Sequence, residues 1–228
     1  MRIIALGTSQ FLISCVSGLI KSGHEIVCLV SEPIEIRPVN SIDIEQVAKD
    51  LGSVYFETDD INSSDASQFL QSLNPDIIFS SWPRIIGEKV LNLSKYGVIG
   101  SHPTPLPANR GRHPFHWQIV LGLRNSMLSF FKMDKGIDSG KILLQIPYDI
   151  DQNDTVNTLS ERVNALALKA STSIGKMLSD VGEELQGEEQ DHQVANTWRK
   201  RTLYDVTIDF RMNGADILSM IRSFNWPF

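Results

Sequence analysis

Hydrophobic positions fall in short runs separated by polar turns and by stretches with helical spacing. The first run, Arg2-Ile3-Ile4-Ala5-Leu6-Gly7, is too short for a helix and predicts a buried strand. Thr8 or Ser9 can cap the apolar helix that follows to about Ser22, and His24 to Val30 repeats the strand signal. A β-α-β opening implies a parallel sheet with a right-handed crossover. Ile44, Val47, Ala48 and Leu51 then mark a helix over Ser41 to Leu51, with a third strand at Ser53 to Glu57 and a helix at Ser64 to Leu73. Asn74-Pro75-Asp76 punctuates before a fourth strand, Ile77-Ile78-Phe79, which ends at Ser80-Ser81-Trp82-Pro83.

A short helix near Gly87 to Leu93 leads to a fifth strand, Tyr96 to Gly100, which runs into the loop GSHPTPLPANRGRHPFHW. Ligands of open α/β sheets bind at the carboxyl ends of strands, so the position favours a functional loop over a rigid connection. Beyond it the pattern predicts a helix over His113 to Leu121, strands at Ser126 to Asp134 and Lys141 to Pro147, and a turn at Gly136 to Gly140. A long helix from Thr155 to Val181, capped by Asp154 or Thr155, shows Val163, Leu166, Ala167 and Ala170 on one face. After Gly182 the chain turns polar and acidic through Asp191, then reaches Thr197 to Thr202, Ile208-Asp209-Phe210 and a last helix near Gly214 to Ser223. The predicted class is α/β: a Rossmann-like, mostly parallel sheet with helices on both faces over residues 1–181, with a small C-terminal extension over 182–228 packed on it.

Composition narrows the function. With 42% hydrophobic and 21% charged residues the chain has the balance of a globular protein and is expected to build a packed core. A net charge of −6 and a pI near 5.4 supply no positive field to gather nucleic acid, so no nucleic-acid partner is expected. No stretch approaches a membrane span. Leu12-Ile13-Ser14-Cys15 resembles a lipoprotein cleavage box, but Gly7-Thr8-Ser9-Gln10 breaks the apolar region that box requires. Cys15 and Cys28, in apolar surroundings, fit core packing in a reducing cytoplasm.

Candidate chemistry is concentrated in the loop. Neither GxGxxG nor a Walker sequence follows the first strand, so the α/β pattern does not imply a dinucleotide or nucleoside triphosphate. Backbone N–H groups of Gly7-Thr8-Ser9 can meet an anion, although such a segment more often only turns the chain. His102, His113, His116 and Asp138 define a rival class, a metal-dependent amidohydrolase, but no third ligand lies close in sequence and no metal is expected.

The run Gly100-Ser101-His102-Pro103-Thr104-Pro105-Leu106-Pro107, the glycine loop Arg110-Gly111-Arg112 and the turn Asp138-Ser139-Gly140 together resemble the formyltransferases that use 10-formyltetrahydrofolate. The signature of that family is Asn-x-His-Pro-Ser-x-Leu-Pro, then a glycine loop, then Asp-x-Gly. The likeness covers most of residues 1–180 in element order, and Ile208-Asp209-Phe210 with its following helix is similar to the family's end of the catalytic core.

The resemblance implies formyl transfer from 10-formyltetrahydrofolate to an amine, with His102 donating a hydrogen bond or proton to the formyl oxygen and Asp138 orienting it. Gly100 stands where the family carries a catalytic Asn. A backbone N–H, a water in the space that Gly100 leaves, or Asn109 folding back are the candidates for its role. The resemblance places the folate against Trp82, Arg84, Ile85 and Ile86 and against Met133, Asp134 and Gly136. A formyltransferase for initiator tRNA typically carries a further C-terminal domain and a positive surface, whereas this acidic chain ends at Asn225-Trp226-Pro227-Phe228, so that acceptor is disfavoured. Relatives in purine synthesis place a glycine-rich phosphate loop after the first strand, which Gly7-Thr8-Ser9-Gln10-Phe11 lacks. The run Arg110 to Pro114 resembles the group that formylates amino sugars, commonly nucleotide-linked, for surface polysaccharides. On that reading Thr8, Ser9, Arg110, Arg112, Trp198, Lys200 and Arg201 meet the acceptor, with aromatic stacking and positive charge together. The expected partner is thus a small-molecule amino sugar, and a homodimer is compatible with the reading.

Overall fold

A computed structural model describes residues 1–224; the apolar end at 225–228 lies outside the described residues. The expected alternation is present: β1 (Arg2–Leu6), α1 (Gln10–Lys21), β2 (Glu25–Ser31), α2 (Ile44–Leu51), β3 (Val54–Glu57), α3 (Ser64–Ser72), β4 (Ile77–Ser80), α4 (Glu88–Leu91) and β5 (Val98–His102). The two-residue strand β6 (Arg110–Gly111), α5 (Pro114–Val120), β7 (Asn125–Lys132), β8 (Ile142–Asp149), α6 (Val156–Ser179), β9 (Thr197–Trp198) and α7 (Gly214–Arg222) follow. Seven strands form one sheet in the order β3-β2-β1-β4-β5-β7-β8. Pairing is parallel from β3 across to β5, while β5-β7 and β7-β8 are antiparallel.

Alternating residues of the central strands bury on opposite faces, as a pleat requires. Ile3, Ala5, Ile77, Phe79, Ile99 and Phe130 pack under α1, α2 and α6, while Ile4, Leu6, Ile78 and Val98 pack under α3 and α4. The near-continuous apolar runs in the sequence reflect burial on both sides. Side chains cap α2, where Asp43 accepts from the Gln46 N–H, and α6, where Thr155 and Thr158 form a reciprocal box; at α1 Ser9 is the N-cap residue, as expected of Thr8 or Ser9, but its side chain makes no cap bond.

The fifth strand differs from expectation. It begins after a turn at Gly97 and continues to His102, because Gly100, Ser101 and His102 pair with Phe131, Phe130 and Ser129 of β7. His102 is therefore a strand residue, and the irregular loop begins at Pro103.

Past Gly182 the chain folds back on the core. Glu188 bridges to Ile142, β9 pairs in parallel with β6, and α7 packs against α5. At the β6–β9 contact a Cβ on Gly111 would lie 2.3 Å from the Trp198 carbonyl oxygen, so only glycine lets the two segments meet. Ile208-Asp209-Phe210 belongs to no strand or helix, and Phe210 is exposed.

Candidate active site

The tip of β5 separates two cavities. On one face lie Gly100 and His102; on the other lies Ser101. His102 is buried, with its Nε2–H donating to the Asn109 carbonyl at 3.0 Å and Nδ1 facing Asp138 Oδ2 at 3.6 Å. The same carboxylate oxygen accepts the Gly111 N–H at 2.8 Å. Both Asn109 and Asp138 take the left-handed conformation that short polar side chains tolerate. The strand, the loop and the distant turn thus meet at one imidazole. Both ring nitrogens face protein acceptors, so giving a proton to a substrate requires His102 to exchange one of these contacts.

Asp138 is also held by Gln190, a residue that the sequence did not single out. Gln190 Nε2 donates to the carbonyls of Asp138 and Gly140 at 3.0 and 2.7 Å, and its Oε1 accepts from Arg110 Nε and Nη2. Arg110, expected to touch substrate, is instead buried behind the site, where its guanidinium also meets His192. Its fork braces the Asp138 turn through Gln190. Nothing in the polar stretch 183–191 marks Gln190 apart from its neighbours, because the contact exists only once the chain has folded back.

A cavity of about 410 Å³ opens on the His102 face. All seven residues expected at the folate, Trp82, Arg84, Ile85, Ile86, Met133, Asp134 and Gly136, line it, together with Gly100, Phe131, Arg112 and Asp138. Its turn is self-tied, since Asp134 Oδ1 accepts from the Gly136 N–H and from Ser139 Oγ. Arg84 is anchored at the rim by the buried Glu32, 2.6 Å from Nε.

The space at Gly100 is not vacant. A Cβ there would lie 2.8 Å from Met133 Cγ, 3.0 Å from its Sδ and 3.2 Å from Phe131 Cζ. Asn109 does not fold back either, because its Oδ1 accepts from Asn196 Nδ2. Two of the three stand-ins for the family's Asn are thereby removed: the water's space is filled with thioether and ring, and the Asn109 amide is committed elsewhere.

The opposite face opens on a second cavity of about 380 Å³. Ser9, Gln10, Asn40, Asn157, Ser160, Glu161 and Asn164 supply hydroxyls, amides and one carboxylate, against Phe11, Phe115 and Leu128. Ser9 is thus at a cavity, as expected, whereas Thr8 is buried outside it, its carbonyl accepting from the Ile42 N–H. Asn157, Ser160, Glu161 and Asn164 went unnoticed, although their i, i+3, i+4, i+7 spacing along α6 is the signal that puts them on one face.

The remaining expected acceptor contacts lie around the β6–β9 seam. Arg112 is exposed on the rim of the His102-side cavity and Lys200 is exposed nearby in sequence to Trp198, which lines neither cavity. Arg201 is buried, bonded to Ser223 Oγ and the Asp205 carbonyl and packed over Phe224 at 4.1 Å, so its side chain serves the fold of the extension. The His113 and His116 rings pack together at a 40° tilt with centroids 5.3 Å apart. Burial first, then Arg112, Lys200 and Arg201, lowers the His113 pKa, while burial with His113 and Arg201 takes His116 down to about 4. Among the described residues no group of three or more His, Cys, Asp or Glu is placed to hold a metal ion, so the quartet of the amidohydrolase reading does not converge. No helix among them is long and apolar enough to cross a membrane.

Residues 1–173 match the family model described as formyl transferase. The chain belongs to the formyl transferase family. This formyltransferase is 30% identical to the methionyl-tRNA formyltransferase of Thermotoga maritima over 230 residues, 99% of this chain and 73% of that one. In fold it is similar to WlaRD, a sugar 3N-formyltransferase solved with dTDP and 5-N-formyl-THF, at a TM-score of 0.75 and 18% identity, covering 97% of this chain and 78% of that one. An N-formyltransferase from Helicobacter canadensis, solved with folinic acid and dTDP-3-aminofucose, gives a TM-score of 0.73 at 17% identity, covering 97% and 79%. The formyltransferase is an enzyme of N-formyl transfer with a Rossmann-like α/β fold.

Proposed function

We propose that this formyltransferase moves a formyl group from 10-formyltetrahydrofolate to the primary amine of an amino sugar, in a nucleotide-linked form destined for surface polysaccharide. The observation that carries the acceptor class is the second cavity. Amides, hydroxyls and a carboxylate suit the hydroxyls of a sugar, and Phe11 and Phe115 suit its apolar C–H faces. The cavity is lined by no lysine or arginine, so a diphosphate on the acceptor is assigned to Arg112 and Lys200 at the seam. Solved relatives with dTDP or dTDP-3-aminofucose support the reading.

The His102-side cavity fits a folate by the chemistry of its lining. Trp82, Ile86, Phe131 and Met133 offer apolar walls for a flat ring, and the 134–138 turn and Arg84 border the opening. When bound there, 10-formyltetrahydrofolate supplies the formyl group. His102, with Nδ1 3.6 Å from the Asp138 carboxylate, is the group placed to meet the oxygen that gains charge as the amine attacks. Asp138, fixed by Gly111 and Gln190, keeps the ring oriented. Met133 and Phe131 pack against Gly100, where the family's Asn side chain would stand.

A second reading, formylation of an aminoacyl-tRNA, is favoured by the 30% identity to methionyl-tRNA formyltransferase. Transfer from 10-formyltetrahydrofolate to dTDP- and UDP-linked amino sugars, free glucosamine and methionyl-tRNA, read by mass spectrometry of the acceptor, separates the two. Transfer to a sugar alone supports the first reading; transfer to the tRNA alone overturns it.

A further inference from the structure

We infer that Ser101 is the residue that seats the acceptor amine, an inference that rests on reading the two cavities as donor and acceptor sites. Among the described residues Ser101 is the one that lines both cavities. It is paired with Phe130 on β7 and so shares a face with Leu128, another wall of the acceptor cavity, while His102 faces the donor side. Its hydroxyl therefore stands on the acceptor side of a wall one strand thick, next in sequence to the imidazole.

The hydroxyl is also uncommitted. Around it Ser126, Ser129 and Thr104 each donate to a backbone carbonyl, and Ser129 also accepts from Gln145. The hydroxyl of half-buried Ser101 makes no hydrogen bond to any described residue. A hydroxyl with no partner in the fold, standing at a cavity junction, is open to donate to and accept from what enters the cavity. Position 100 provides no competing group, since glycine stands there and Met133 fills the space above it. Ser101 Oγ accepts one N–H of the primary amine, which fixes the direction of the nitrogen lone pair, and turns its own hydrogen toward an oxygen of the acceptor. No bond to Ser101 forms or breaks; its role is positioning by direct contact with substrate.

The test compares the wild-type chain with S101A and S101T, using dTDP-3-aminofucose and glucosamine as acceptors and 5-formyltetrahydrofolate as the probe of donor binding. S101A is expected to lower kcat about tenfold, the value of one well-placed hydrogen bond, with acceptor KM changed less than about threefold. Donor-probe Kd and Tm stay at wild-type values, and S101T, which keeps the hydroxyl, recovers most of kcat. Equal kcat in S101A and wild type overturns the inference and leaves the acceptor reading intact. So does a loss of kcat that S101T does not recover and that follows a fall in Tm, which marks a packing role. No transfer to either amine by the wild-type chain refutes the acceptor reading, and the inference falls with it.

Discussion

Restoring the family's amide at position 100 tests whether Met133 has taken over that space. In G100N the new Cβ falls 2.8 Å from Met133 Cγ and 3.2 Å from Phe131 Cζ, both inside normal contact distance. Phe131 is buried in the sheet, so Met133, a flexible thioether, must move. Overpacking of this kind costs about 2 kcal/mol, and loss of the glycine's freedom in the unfolded chain returns about 0.5. The net, roughly 1.5 kcal/mol, lowers Tm by about 3–6 °C for a chain of this size. Because Met133 lines the cavity proposed for the donor, its displacement is also expected to weaken donor binding. G100N is therefore expected to transfer formyl more slowly than wild type despite regaining the amide. Trimming the neighbour in G100N/M133A makes room, so the two changes couple favourably by at least about 0.5 kcal/mol in Tm-derived stability. Thermal melts and titration with 5-formyltetrahydrofolate on all four proteins close the cycle. Wild-type Tm and donor affinity in G100N, with no coupling to M133A, would refute the occupied-space argument.

Three further outcomes follow from the site. D138N keeps the acceptor oxygen for the Gly111 N–H but removes the charge beside His102, so kcat falls on the order of a hundredfold with Tm nearly unchanged, read by steady-state transfer and melting. Q190A takes from Arg110 one of its two partners and leaves two carbonyls of the Asp138 turn without theirs, costing about 2–3 kcal/mol and lowering kcat more than acceptor KM, seen by denaturant unfolding and kinetics. His116, lowered to about 4 from an ordinary value of about 6.5, is neutral in the fold where the unfolded chain binds a proton, so stability falls as pH drops from 6.5 to 4. The full shift corresponds to roughly 3 kcal/mol, about 2 after partial solvent screening, and H116F removes that slope from unfolding curves across the window.

Periodicity made the fold legible. Buried strands and half-buried helices leave different spacings, and the order of strand and helix fixed the parallel half of the sheet. Boundaries shifted where a local partner decided them, as with Asp43 at α2 and the pairing that carries β5 through His102. His102 and Asp138 were legible as a pair only through the family motif, for nothing local says that a turn 36 residues on comes within 3.6 Å. The same motif singled out seven residues that the fold brings to one cavity. Arg110 and Arg201 misled, because a guanidinium in a loop looks alike whether it meets a ligand or braces a turn. Met133 over Gly100 was hidden for a related reason: a missing side chain in the sequence shows no sign of what fills its place.

The central claim is that His102, oriented by Asp138 on the wall between two cavities, promotes formyl transfer. It is tested most directly by the turnover of H102A with 10-formyltetrahydrofolate and the acceptor that wild type uses, with 5-formyltetrahydrofolate affinity measured on the same protein. The account predicts a loss of at least about a hundredfold in kcat with donor affinity within about twofold of wild type. Unchanged turnover in H102A would contradict it.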